Sequence, residues 1–227
     1  GDNRLSILHL AGNGNEFELG YFSDQDEYPR TLFRDSNEQE IIYLNMGQLE
    51  IGTDLYFGTL LHEAQHLFQW NLDKNEATWL NEGLSQLAEL YAGLDTAVPD
   101  AYLEQPDTRL DQWEYDEDII DAHYANSYLF AVYLWEQLGE MAIYELIRQP
   151  ANGISDVKVV LEGFQPARSL DHFMSDWAIA NFVNDLNFGE KFAYKDDSLT
   201  LSQPSFQDTV DQLPFSKLLE LEQLAVH

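Results

Sequence analysis

Two histidines and two glutamates are spaced for metal chemistry. In His62-Glu63-Ala64-Gln65-His66 the histidines stand at i and i+4. On a helix that is about one turn and about 6 Å of rise, so both imidazoles leave one face. Imidazoles so placed can bind one zinc ion at about 2.0–2.1 Å. Glu63 lies at the edge of that face, where a carboxylate acts as general base toward water at the metal rather than as a ligand. Catalytic zinc takes three protein ligands and keeps one position open. Glu82, sixteen residues beyond His66 in Trp79-Leu80-Asn81-Glu82-Gly83, can supply the third from an antiparallel helix. The separation holds the end of one helix, a turn over Leu72-Asp73-Lys74-Asn75 and a turn or two of the next. Two neutral histidines and one carboxylate would leave the metal a net positive charge, enough to push a water pKa toward about 7. Glu76 competes for the ligand role, but it lies at the helix start, where a carboxylate also suits the macrodipole.

The elements that must position these groups follow in chain order. Residues 5–11 read as a buried strand, Gly12-Asn13-Gly14-Asn15 as a turn and residues 17–22 as a weaker strand. Residues 23–40 are polar with Pro29 and read as a loop, and Ile41–Asn45 as a third strand rich in β-branched and aromatic residues. Thr53 can cap a helix over residues 53–70 that is apolar on most sides, which predicts a buried helix with its histidine face on a cleft. Asn75 is the expected cap of a second helix ending at Tyr91-Ala92, with Gly93 just past its end. Residues 94–118 read as irregular. A helix over 119–138 stopped by Gly139 follows, then shorter helices near 140–148, 154–163 and 169–184, the last capped by Ser169. Residues 191–194 are a strand candidate and Leu218–Leu224 a terminal helix. Strands first and helices after read as an α+β fold. Its divisions are a β-rich lobe over 1–52, a helical lobe over 53–185 carrying the metal site, with the active site between them, and an extension over 186–227 packed on the catalytic domain.

Composition narrows the partners. The chain has 227 residues and no cysteine, so disulfides and thiolate metal sites are excluded and any zinc must use histidine and carboxylate. Its formal net charge is -30. No basic stripe is present to displace counterions, which argues against nucleic acid. The charge implies either a strongly solvated surface or a preference for cationic substrates or calcium. The acidic run Asp111, Glu114, Asp116, Glu117, Asp118 lacks EF-hand spacing and reads as a solvated loop rather than a Ca2+ site. No apolar stretch approaches the roughly 18 residues of a membrane span, so membrane insertion is not expected. Gly1-Asp2-Asn3-Arg4 shows no apolar core of an export signal. Of the other histidines, His9 reads as a core or edge residue, His172 as a surface or core residue, and His227 is terminal.

His62-Glu63-Ala64-Gln65-His66 followed by Trp79-Leu80-Asn81-Glu82-Gly83-Leu84-Ser85 resembles the gluzincin metallopeptidases, as in thermolysin and the aminopeptidase-N-like enzymes. The strands Gly20-Tyr21-Phe22 and Ile41–Leu44 and the His-Glu-x-Gln-His spelling are similar to the hyicolysin-like neutral peptidases of bacteria, over about residues 20–185. The resemblance implies a zincin-like fold and a secreted or cell-envelope peptidase acting on peptide or protein substrates. It implies that His62, His66 and Glu82 bind zinc and that Glu63 activates water. In aminopeptidase-N-like enzymes a tyrosine opens a helix as Tyr-x-x-Gly. Tyr124-Ala125-Asn126-Ser127 keeps the length to Leu138-Gly139, with serine for glycine. By resemblance Tyr124 donates a hydrogen bond to the oxyanion; His123 is the alternative donor, and taken alone Tyr124 is an amphipathic core residue. The Gly-x-Met-Glu-Asn motif that grips a free amine is absent, which favours endopeptidase over strict aminopeptidase activity. Where thermolysin carries an aspartate to orient a histidine, this chain has Gln86. The alternatives are a catalytically inactive zinc-stabilised binding or adhesion module, and an aminopeptidase.

Overall fold

A computed structural model describes residues 4–12, 19–94, 97–196, 199 and 201–202. Contacts gather the chain into two units: Gly1–Glu76 with Leu84–Thr96, and Ala77–Gly83 with Ala97–His227. A small sheet and, among the described residues, seven α-helices make a mixed fold compatible with α+β.

The first unit holds three strands, β1 (Ser6–Leu10), β2 (Gly20–Phe22) and β3 (Ile41–Asn45), in the order β1-β3-β2. β1 pairs parallel with β3 from Ser6↔Ile41 to Leu10↔Asn45, and β2 pairs antiparallel with it through Tyr21↔Tyr43. β3 is central and all five of its residues are buried. The expectation of a buried first strand is corrected: Ile7 and Leu8 are 43% and 44% exposed. Consecutive strand residues face opposite sides, so β1 is an edge strand open on both faces. Helix α1 (Asp54–Leu72) packs on β2 and β3, and Ile42, Leu44, Leu49 and Tyr56 form the core beneath it. At Gly20 a Cβ would lie 2.9 Å from Thr59 Cγ2 and 2.8 Å from the Tyr43 carbonyl, so the close approach of β2 to α1 requires glycine. The loop before β3 is tied down by buried Asp26, which accepts from the Tyr43 hydroxyl at 2.5 Å and the Asn37 amide at 2.6 Å.

α1 also departs from expectation. Glu63 and Gln69 are buried, whereas Leu55, Phe57, Phe68 and Leu72 are exposed. Apolar residues on nearly every side cannot all face one core, and Tyr56 and Leu67 are buried together with Glu63 and Gln69.

α2 (Thr78–Tyr91) contributes to both units. It begins at Thr78, three residues after the expected cap Asn75, with the Ala77 carbonyl accepting from Leu80 and Asn81. It ends as expected, with Gly93 at φ +72 and the Leu94 amide donating to the Glu89 carbonyl at 2.9 Å, the pattern of a left-handed C-terminal cap.

The second unit is built on α4 (Ile120–Leu138), buried without interruption from Ala125 to Leu134. α3 (Asp100–Glu104) packs on it within the stretch read as irregular, and α5 (Glu140–Leu146) and α6 (Ile154–Phe164) follow. α7 (Leu170–Val183) starts at Ser169, whose side chain accepts from the His172 amide. Residues 191–194 do not form a strand: Glu190–Phe192 are a 3-10 turn packed on α7. Tyr194 is buried instead as a polar core residue, accepting from Trp177 Nε1 at 3.1 Å and donating to Asn181 Oδ1 at 2.5 Å. The expected helix over Leu218–Leu224 lies outside the described residues.

Candidate metal centre

Thr53 opens α1 with extended backbone and a hydroxyl that accepts from the Tyr56 amide at 3.2 Å. The helix then runs unbroken past both histidines, whose ring centroids are 4.8 Å apart. His62, His66 and Glu82 each offer one ligand atom, and these atoms lie within 4.8 Å of one another. All three residues are half-buried, open enough for a ligand and shielded enough to hold one.

One nitrogen of each ring, Nδ1, meets a side chain of α2. Glu89 Oε1 lies 2.9 Å from His62 Nδ1, and Ser85 Oγ lies 3.2 Å from His66 Nδ1. Both supports are interior, Glu89 at 5% and Ser85 at 0% exposure. Glu82, Ser85 and Glu89 stand at i, i+3 and i+7, which is one face of one helix. An ionised carboxylate only accepts, so His62 carries its proton on Nδ1 and keeps the Nε2 lone pair for a metal. A ring nitrogen fixed from behind by a carboxylate is the usual support of a metal-binding histidine. The donor set of two imidazole nitrogens and one carboxylate oxygen fits zinc, whose ligands sit about 2.0–2.2 Å from the ion. Among the described residues no other group of three such side chains comes together. In the acidic run, Asp111 pairs with Arg109 at 2.9 Å and Asp116 accepts from the Asp118 amide at 3.0 Å.

Glu63 is buried at 7% exposure on α1, one residue after His62. Gln86, four residues after Glu82, does not take the supporting role; Glu89, nearly one turn further, does. Sequence reasoning missed Glu89 and Ser85. Their spacing from Glu82, visible in the chain, puts them on one helical face; that they meet the two rings depends on how the helices pack.

Tyr124 stands half-buried in the first turns of α4, its ring edge-on to Trp113 at 4.9 Å. His123 is more enclosed, at 3% exposure and 5.6 Å from the same indole. Its Nε2 has no hydrogen-bond partner among the described residues. Burial pushes its pKa down, against the opposing pull of Glu114, so the imidazole is neutral at physiological pH. Of the two candidate donors, Tyr124 is the more accessible.

Comparison with protein-family models and with curated proteins gave no match.

Proposed function

We propose that this chain is a zinc-dependent peptidase of the gluzincin type with a zincin-like fold, cleaving within chains rather than strictly at a free amine. The observation that carries the reading is the grouping of His62, His66 and Glu82 with each imidazole braced at Nδ1. A module that needed zinc only for stability would have no use for a carboxylic acid such as Glu63 beside that face.

Zinc, when bound, supplies Lewis acidity toward the scissile carbonyl and lowers the pKa of water. His62, His66 and Glu82 hold it, and Glu89 and Ser85 keep the two rings in register. Glu63 takes the proton from the attacking water and later delivers it to the leaving amine. Tyr124 donates to the oxygen on which negative charge develops.

The test compares wild type with Glu63→Gln. Both are expected to bind about one zinc per chain, while turnover of internally quenched peptides falls about 10²–10⁴-fold in the variant. Wild-type turnover in Glu63→Gln would remove its role. Stoichiometric zinc with no cleavage of a broad peptide library would point to a binding module. Product termini separate internal cleavage from removal of single N-terminal residues.

A further inference from the structure

We propose that the hollow at the start of α7 binds a compact oxyanion, a carboxylate or a phosphate. The hollow measures about 630 Å³ and is lined by Pro166, Ala167, Arg168, His172, Asp176 and Lys191, with Gln165 at its edge. That volume is in the range of small-molecule sites, about 300–1,000 Å³.

The charge arithmetic is unusual for this chain. Against 41 acidic residues it has only 11 lysines and arginines, yet two of them meet here on one carboxylate. Arg168 Nη2 donates to Asp176 Oδ2 at 2.8 Å, and Lys191 Nζ to Asp176 Oδ1 at 2.9 Å. Taken by themselves these three side chains carry one net positive charge, with the Glu136 carboxylate acting from beyond Tyr133. Arg168 is locked in place: it also donates to the Tyr133 hydroxyl at 2.9 Å, and its guanidinium lies over the Phe173 ring at 4.6 Å. Lys191 is more open, with its side chain 51% exposed, although its ammonium also lies over the Phe192 ring at 4.4 Å. An ammonium has three donors, and Asp176 takes one. The His172 ring is exposed, and its side chain has no partner among the described residues. The hollow therefore offers a fixed positive floor with unused donors at its rim, and Pro166 and Ala167 give it an apolar wall.

The remainder of the molecule limits the ligand. A surface of net charge -30 repels extended polyanions over about a Debye length, roughly 8–10 Å. A ligand with one or two charges, small enough to sit inside that distance of Lys191, avoids this repulsion.

The test titrates the full chain at low ionic strength with inorganic phosphate and, separately, with succinate, read by calorimetry. One saturable site is expected, weakening as salt is added. Lys191→Gln removes a charge-assisted donor and is expected to bind about tenfold more weakly. Ala167→Glu places a negative charge in the wall without touching the ion pairs, and is expected to abolish binding. The tighter of the two anions identifies the source. Binding of neither below about 10 mM, or binding that survives both variants unchanged, overturns the proposal. Glu63→Gln should bind the anion as wild type does, so this site and the peptidase reading stand or fall separately.

Discussion

Glu89 decides which nitrogen His62 keeps free. Glu89 is buried and acts only as an acceptor at 2.9 Å, so it selects one tautomer. Glutamine in its place could donate as well as accept, and that selection is lost. Glu89→Gln is expected to weaken zinc binding about 10–100-fold, measured by competition with a chromophoric chelator, while metal-free stability changes little. Unchanged zinc affinity would show that the bond is incidental. At this scale the sequence singled out the candidate ligands that the structure groups together, and did not single out their supports. The i, i+4 histidines and the carboxylate of Glu82 stand in contiguous motifs. The support at Glu89 is one polar residue on an amphipathic helix, and its role depends on how two helices pack, which spacing within one helix does not specify.

Between elements, contact distances are set by small residues. A Cβ on Gly83 would lie 2.5 Å from the Ser127 carbonyl oxygen on α4, so the second turn of α2 rests directly on backbone, with Trp79 edge-on to Phe130 at 5.5 Å one turn before it. Gly83→Ala must push the helices apart and is expected to cost about 1–3 kcal/mol, read from urea denaturation. The loop before β3 gives a pH dependence. Burial, then the hydrogen bond to Asp26, pushes the Tyr43 hydroxyl up to about 12. A group whose folded pKa is raised stabilises fully below its unfolded value, about 10 for tyrosine. That stability is lost as pH rises toward about 12. Stability should therefore fall between about pH 10 and 12, with a shallower slope in Tyr43→Phe. Helix ends with side-chain caps, Thr53 and Ser169, were legible in the chain, because a cap is a local interaction. The exposure of β1 was not: a parallel pair reveals its edge only once strand order is known. Nor was Tyr194 as a core residue, since its partners Trp177 and Asn181 lie on α7.

For the molecule as a whole, charge dominates. A net charge of -30 makes the compact state self-repelling, and added salt screens that repulsion. The urea midpoint should rise as sodium chloride increases from about 0.02 to 0.3 M; a midpoint that falls would mean that specific ion pairs outweigh the net charge. No described helix is long and apolar enough to cross a membrane. The mixed character of the fold was readable from strands preceding helices. α2 gives its first turns to one unit and the remainder to the other. That same helix presents Glu82, Ser85 and Glu89 on one face. In the peptidase reading, a ligand and both braces then share one element, and an excursion that unwinds α2 withdraws all three together. Loss of Glu82 and of both braces becomes a single event gated by that opening, and it leaves the ion on His62 and His66 alone. The free energy of that opening is the one that proton exchange at the α2 amides would report.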